Sequence, residues 1–233
     1  MPRFIAAFLS ALALFTSACA GRYPDDRYVN AANSVRPSVV LLTMKVPPEK
    51  KEDKYDDEYA TGGVVASGPW GADILSVSHA VEGAWDIYAT IGDKTRVPVK
   101  VIARDKDLDV ALLRTNHRGL PVLPLGSSSN LATQLGRDVA LVGYPIPDEF
   151  EDEDLGLAAS FNSGHLSSLR KHALEVSLPI VPGESGAPVF LIDTGAVIGI
   201  AESRFDDEHS IGFALPIDDA KKFLHKHDAA HGF

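Results

Sequence analysis

VPGESGAPVF, Val181 to Phe190, sets Ser185 between Gly183 and Gly186, with Pro188 and an apolar run behind it. A serine hydroxyl is a weak nucleophile at its own pKa. It needs a base to take its proton and hydrogen-bond donors to hold the oxyanion that forms. Glycines permit a tight turn that can aim the amides of Gly183 and Ser185 at one point, as an oxyanion hole requires. Taken alone, the decapeptide reads first as a Gly-rich β-turn.

Upstream, LSVSHAVEGA places His79 just after the apolar run Ile74 to Val77 and before a small-residue turn, a site for a general base. DKDLDVALLRT places Asp109 at the mouth of another apolar run, where a carboxylate can orient a histidine ring. Met singly, these residues are a surface histidine and a strand-end acid. Together with Ser185 they stand in the order His, Asp, Ser. The GxSxG-like stretch from Gly183 to Ala187 also suggests a hydrolase elbow, but that elbow needs a helix after the serine and a different residue order. Here Pro188 and the β-type run VFLID follow.

The residues around the three positions resemble the chymotrypsin-fold serine proteases, most closely their HtrA (Deg) branch. The matching pieces include RPSVV (Arg36 to Val40), TGGVVAS (Thr61 to Ser67), LSVSHAVEGA (Leu75 to Ala84), RDKDLDVALLRT (Arg104 to Thr115) and LPVLPLGSSSNL (Leu120 to Leu131). VALVGYP (Val139 to Pro145), PGESGAPVF (Pro182 to Phe190), VIGIAES (Val197 to Ser203) and IGFALP (Ile211 to Pro216) continue the match in the same order. The resemblance implies an all-β fold of two six-stranded antiparallel β-barrels with a short C-terminal helix, working without a cofactor or metal. It implies His79 as general base and acid, Asp109 holding its ring, Ser185 as nucleophile, and the Gly183 and Ser185 amides as the oxyanion hole. Polypeptides are the implied substrates, and oligomers are implied because trimers occur in the family.

In family members that cut after Lys or Arg, an acid lies six residues before the nucleophile; that position here is Pro179, beside Ile180. An apolar pocket is therefore expected, with Ile211 and Phe213 helping to line it and small or medium apolar residues preferred before the scissile bond. The chain departs from the family at Ala187, where a second glycine is usual, at Glu184, where Asn is common, and at Ala80. Ala187 would be costly only at positive φ. Pro216 lies 17 residues from the end of the sequence, so regulation through a PDZ domain is not expected.

The same pattern of short β-type runs gives the organisation. Six runs, SVVLLTMKV, TGGVVAS, DILSV, WDIYATI, RVPVKVIA and DVALLRT, precede the Pro- and Gly-bearing stretch from Asn116 to Gly126, and six more follow it. Two packed antiparallel barrels or sandwiches are expected. Only PIDDAKKFLHKH (Pro216 to His227) reads as a good helix, with Pro first, acids in its first turn and basic residues in its last. The expected boundaries are a signal peptide at 1–20, a linker at 21–33, a protease domain at 34–219 with barrels at 34–118 and 119–216, and a helix and tail at 217–233.

Charge and the N-terminus bear on partners. Thirty-two Asp plus Glu against 22 Lys plus Arg give a formal net charge of -10, which opposes phosphate-tracking contact, so no nucleic acid is expected. Two acidic stretches, Glu49 to Glu58 and Asp148 to Asp154, read as solvated loops or as surfaces for a basic partner. MPRFIAAFLSALALFTSACA, Met1 to Ala20, has Arg3, an apolar run and then small residues, as in an export signal. Cleavage before Gly21 competes with lipidation of Cys19, the only cysteine, so the mature protein is expected to be periplasmic, lipid-anchored or secreted. His225, His227 and His231 read as a helix end and tail rather than a metal site.

Overall fold

The computed structural model describes residues 26–49, 53–92, 94–202 and 211–227; the expected export signal, Cys19 and His231 lie outside them. Two antiparallel β-sheets make up the fold. The first has strands β1 (Val39–Val46), β2 (Asp56–Gly68), β3 (Gly71–Ser76), β4 (Trp85–Ile91), β5 (Thr95–Pro98), β6 (Lys100–Asp105) and β7 (Val110–Thr115). The second has β8 (Asp138–Gly143), β9 (Ser160–Leu169), β10 (Leu174–Val176), β11 (Pro188–Leu191), β12 (Val197–Glu202) and β13 (Gly212–Pro216).

The second sheet closes into a barrel in the order β10-β13-β12-β11-β8-β9, one strand for each of the six runs expected. The first corrects the expectation. It has seven strands, not six, in the order β5-β4-β1-β2-β3-β7-β6, and β5 and β6 stand at its edges, leaving it a half-barrel. The cause lies in RVPVKVIA, expected as one strand. Pro98 has no N–H to carry a ladder onward, and beyond it Val99 donates to the Ile87 carbonyl at 3.0 Å. Residues before Val99 pair with β4, and those after it pair with β7.

Strand alternation explains how the sheets meet. Along β1, Val40, Leu42 and Met44 fill the interior of the first sheet, while Val39 and Leu41 face a core shared with the second. Along β11, Val189 and Leu191 fill the second barrel, and Phe190 enters the shared core. Both faces of the central strands are buried, which is why these runs read as nearly continuous apolar stretches.

Two helices cover the shared core. The expected one forms as α3 (Ile217–His227), burying Ile217, Ala220, Phe223 and Leu224. The other, α1 (Arg27–Val35), lies largely within the stretch expected as a linker. Its polar composition conceals Tyr28, Ala31 and Val35 at helical spacing. Ala31 and Val35 are buried, and the Tyr28 ring meets Phe161 edge-on with centroids 6.3 Å apart. Part of the second acidic stretch also folds, as the short α2 (Pro147–Asp152).

Candidate active site

Asp109 sits immediately before β7 with φ +51, a left-handed conformation that aspartate tolerates better than most residues. That bend turns its carboxylate onto His79. One oxygen accepts from the His79 backbone N–H at 2.8 Å, and the other lies 2.6 Å from ring nitrogen Nδ1. The carboxylate thus holds both the chain and the ring of His79, leaving Nε2 as the imidazole's free basic position. The hydrogen bond to Asp109 raises the His79 pKa above its usual 6.5, against a smaller opposing effect of burial.

Ser185 belongs to the turn between β10 and β11. It is 6% exposed, and it lines a cavity of about 380 Å³ that His79 also lines. Asp57, Glu58, Tyr59, Pro147, Asp148, Pro182 and Gly183 form the rest of the wall. The Ser185 hydroxyl makes no hydrogen bond with His79 or any other described residue. Catalytic contacts of this type often tighten only when substrate binds.

The turn that carries Ser185 is pinned from several directions. Gly183 and Gly186 have φ of +88 and +90, and a Cβ at either would lie within 2.3 Å of a backbone oxygen, Tyr144 O or Thr61 O, so neither position accepts a side chain. Ala187 is not among the positive-φ residues and is wholly buried, so the departure from a second glycine costs nothing in backbone strain. The Pro182 carbonyl accepts from Ile146 N–H at 2.8 Å. In a trans peptide the N–H points opposite to the C=O, so this bond turns the Gly183 N–H away from Ile146. Neither the Gly183 nor the Ser185 amide donates to a backbone carbonyl of a described residue. Ile146 itself is left-handed, with φ 35, an uncommon state for a β-branched residue.

Two contributors to this turn, and one acid that acts on His79, escape a reading of the sequence. Thr61, fully buried in β2, donates its hydroxyl to the Gly183 carbonyl at 2.7 Å and accepts from Tyr144 N–H at 3.0 Å. Its own N–H donates to the Ser185 carbonyl at 2.9 Å, so the first sheet clamps a loop of the second. Glu184 is 3% exposed and accepts from Val181 N–H at 3.1 Å; burial pushes its pKa up to about 7. Glu202, 1% exposed on β12 and paired in register with Phe213, is close enough to add to the rise at His79. The one available signal was that TGGVVAS and GES each carry a polar residue within an otherwise small or apolar stretch.

The four residues expected around a substrate pocket are not among those that line the cavity at Ser185. The side chain of Ile180 packs against Gly212, Asn162 Nδ2 donates to the Pro179 carbonyl at 3.4 Å, Phe213 is half-buried and Ile211 is exposed.

The family model described as the trypsin-like peptidase domain matches residues 60–200, a span that contains His79, Asp109 and Ser185. The chain belongs to this trypsin-like peptidase family. Within it, a putative serine protease, HhoA, of Synechocystis sp. is 35% identical over 162 residues, covering 64% of this chain and 38% of that protein. A probable periplasmic serine endoprotease, DegP-like, of Halomonas elongata is 32% identical over 156 residues, covering 62% of this chain and 30% of that protein. The chain thus spans less than half the length of these relatives. Among solved structures, the HtrA-type protease AlgW with tripeptide superimposes with a TM-score of 0.68 at 22% identity, covering 85% of this chain and 62% of that one. A serine endoprotease from Yersinia pestis gives 0.68 at 23% identity, with 85% and 65% covered. These two likenesses establish the two-sheet chymotrypsin-like fold.

Proposed function

We propose that the protein is an exported serine endopeptidase that hydrolyses peptide bonds through an acyl-enzyme. The observation that carries this is the buried Ser185 hydroxyl opening onto the cavity that His79 lines, with the His79 ring held by Asp109. In this mechanism Ser185 Oγ attacks the scissile carbonyl and passes its proton to His79 Nε2. The oxyanion is received by the Gly183 and Ser185 amides. His79 then gives the proton to the departing amine, and water attacks the ester by the same route in reverse. Asp109 stabilises the imidazolium that forms in each half-reaction.

Unfolded or envelope proteins are the proposed substrates, and Met1 to Ala20 the export signal, with Cys19 either removed with it or retained as a lipid anchor. The periplasmic description of the Halomonas relative supports that location. A serine-directed phosphonate tests the function. It labels the wild-type protein and not Ser185→Ala, and the substitution lowers hydrolysis of an unfolded protein by a factor on the order of 10⁶. A folded wild-type protein that neither reacts with the phosphonate nor cuts the protein substrate would instead be a binding protein built on the protease fold.

A further inference from the structure

The cavity at Ser185 and His79 carries a charge that peptide hydrolysis does not require. Asp57, Glu58 and Asp148 line it, and no Lys or Arg does. Among the described residues, no Lys or Arg forms an ion pair with any of the three. Lys45, opposite Asp57 in the β1–β2 register, sits 3.9 Å from the Tyr55 centroid, and Arg96, which lines a neighbouring cavity with Asp57 and Glu58, sits 4.0 Å from that of Tyr88. Glu58 is half-buried, and its carboxyl is held above its ordinary pKa by burial first, with Asp148 and Glu49 adding to the rise against the pull of His79.

A second feature, independent of the acids, marks the cavity as a ligand site. The Ser185 hydroxyl, on a side chain more than nine-tenths buried, bonds to no other described residue and opens into this same space. A polypeptide that fills this space lies against the acidic wall. The wall extends from Ser185 past Gly183 and Pro182 to β2 and α2, and it contains none of Pro179, Ile180, Ile211 or Phe213. With those four, as the family resemblance implies, beside the residue that precedes the scissile bond, the leaving-group half of the substrate lies along Glu58 and Asp148.

We propose that Glu58 and Asp148 form a leaving-group subsite that selects substrates with a lysine or arginine directly after the scissile bond or one residue further on. This rests on the endopeptidase function above and narrows its substrates to sites followed by a cation. A bound cation relieves the mutual repulsion of the carboxylates, and a cleft of one sign attracts oppositely charged chains before contact.

The test is a set of peptides with valine before the cleaved bond and Lys, norleucine or Glu at each of the two following positions, with cut sites mapped by mass spectrometry. At low salt, the Lys peptides are expected to exceed norleucine roughly tenfold in kcat/KM and Glu roughly a hundredfold. The differences narrow as ionic strength rises. In Glu58→Gln/Asp148→Asn, checked for a folded site by phosphonate labelling, the Lys to norleucine ratio falls toward one. Equal rates for all peptides in a protein that the phosphonate labels overturn the subsite and leave the endopeptidase intact. A preference for Lys before the bond, or a ratio unchanged in the double variant, overturns it as well. Loss of both labelling and cleavage in the wild type removes the endopeptidase function, and the subsite with it.

Discussion

Replacing Glu184 with glutamine removes a titrating group from the turn that carries Ser185 and is expected to flatten the dependence of stability on pH. Burial raises this carboxyl from its ordinary 4.5 to about 7. Between those two values the folded protein holds a proton that the unfolded chain has released, so stability falls as pH rises through that window. Integrated from pH 5 to pH 8, the loss is on the order of 2–3 kcal/mol, since each pH unit in that window costs about 1.4 kcal/mol. For a chain of this size that corresponds to roughly 5–10 °C in Tm. Glutamine keeps an oxygen for the Val181 N–H and carries no charge. A Ser185→Ala background excludes self-cleavage. In that background, thermal unfolding at pH 5, 6.5 and 8 should show the protein that keeps Glu184 losing roughly 2–3 kcal/mol more than Glu184→Gln between the two extremes. Parallel pH profiles for the two proteins would refute the reasoning, because every other titrating group is common to both.

Two further substitutions probe the proposed machinery. Asp109→Asn is expected to lower kcat by roughly 10⁴ through loss of the ring's orientation. Because the bond to Asp109 raises the His79 pKa and the neutral imidazole is the active form, the acid limb of kcat/KM moves to lower pH in the variant; a limb that stays in place would contradict this origin. Thr61→Val leaves the Gly183 carbonyl and the Tyr144 N–H without their hydroxyl partner. It is expected to cost about 1–3 kcal/mol of stability per orphaned group and to lower kcat more than it raises KM, with Thr61→Ser restoring both. A kcat equal to wild type in a folded Thr61→Val protein would show that the clamp does not position the oxyanion amides.

The strands of the fold were legible because both faces of most of them are buried, so apolar runs bounded by Gly, Pro, Asp and Asn mark their limits. RVPVKVIA forms exposed edge strands, and a continuous β-type run does not disclose that its halves pair with different neighbours on either side of Val99. The helix Arg27–Val35 was hidden because it buries only a narrow stripe, Ala31 and Val35, and is otherwise polar. At the site, Gly183 and Gly186 announced a turn, and the structure gives each a positive φ against nearby backbone. Thr61 announced nothing. Its three bonds to Gly183, Tyr144 and Ser185 span more than 80 positions each, and no local pattern encodes such a distance.

Sequence alone determined that this is an all-β chain with His79, Asp109 and Ser185 in the order of a serine protease, because strand periodicity and short motifs are local properties. Tertiary structure decided the rest. The acidic residues Glu58 and Asp148 come from stretches that read as solvated loops, and folding brings them to one wall beside Ser185. The net charge of -10 is a sum over the chain and says nothing of where charges meet. Electrostatic interaction depends on separation in space and on the burial that removes water's screening, and both are set only when the two sheets pack together.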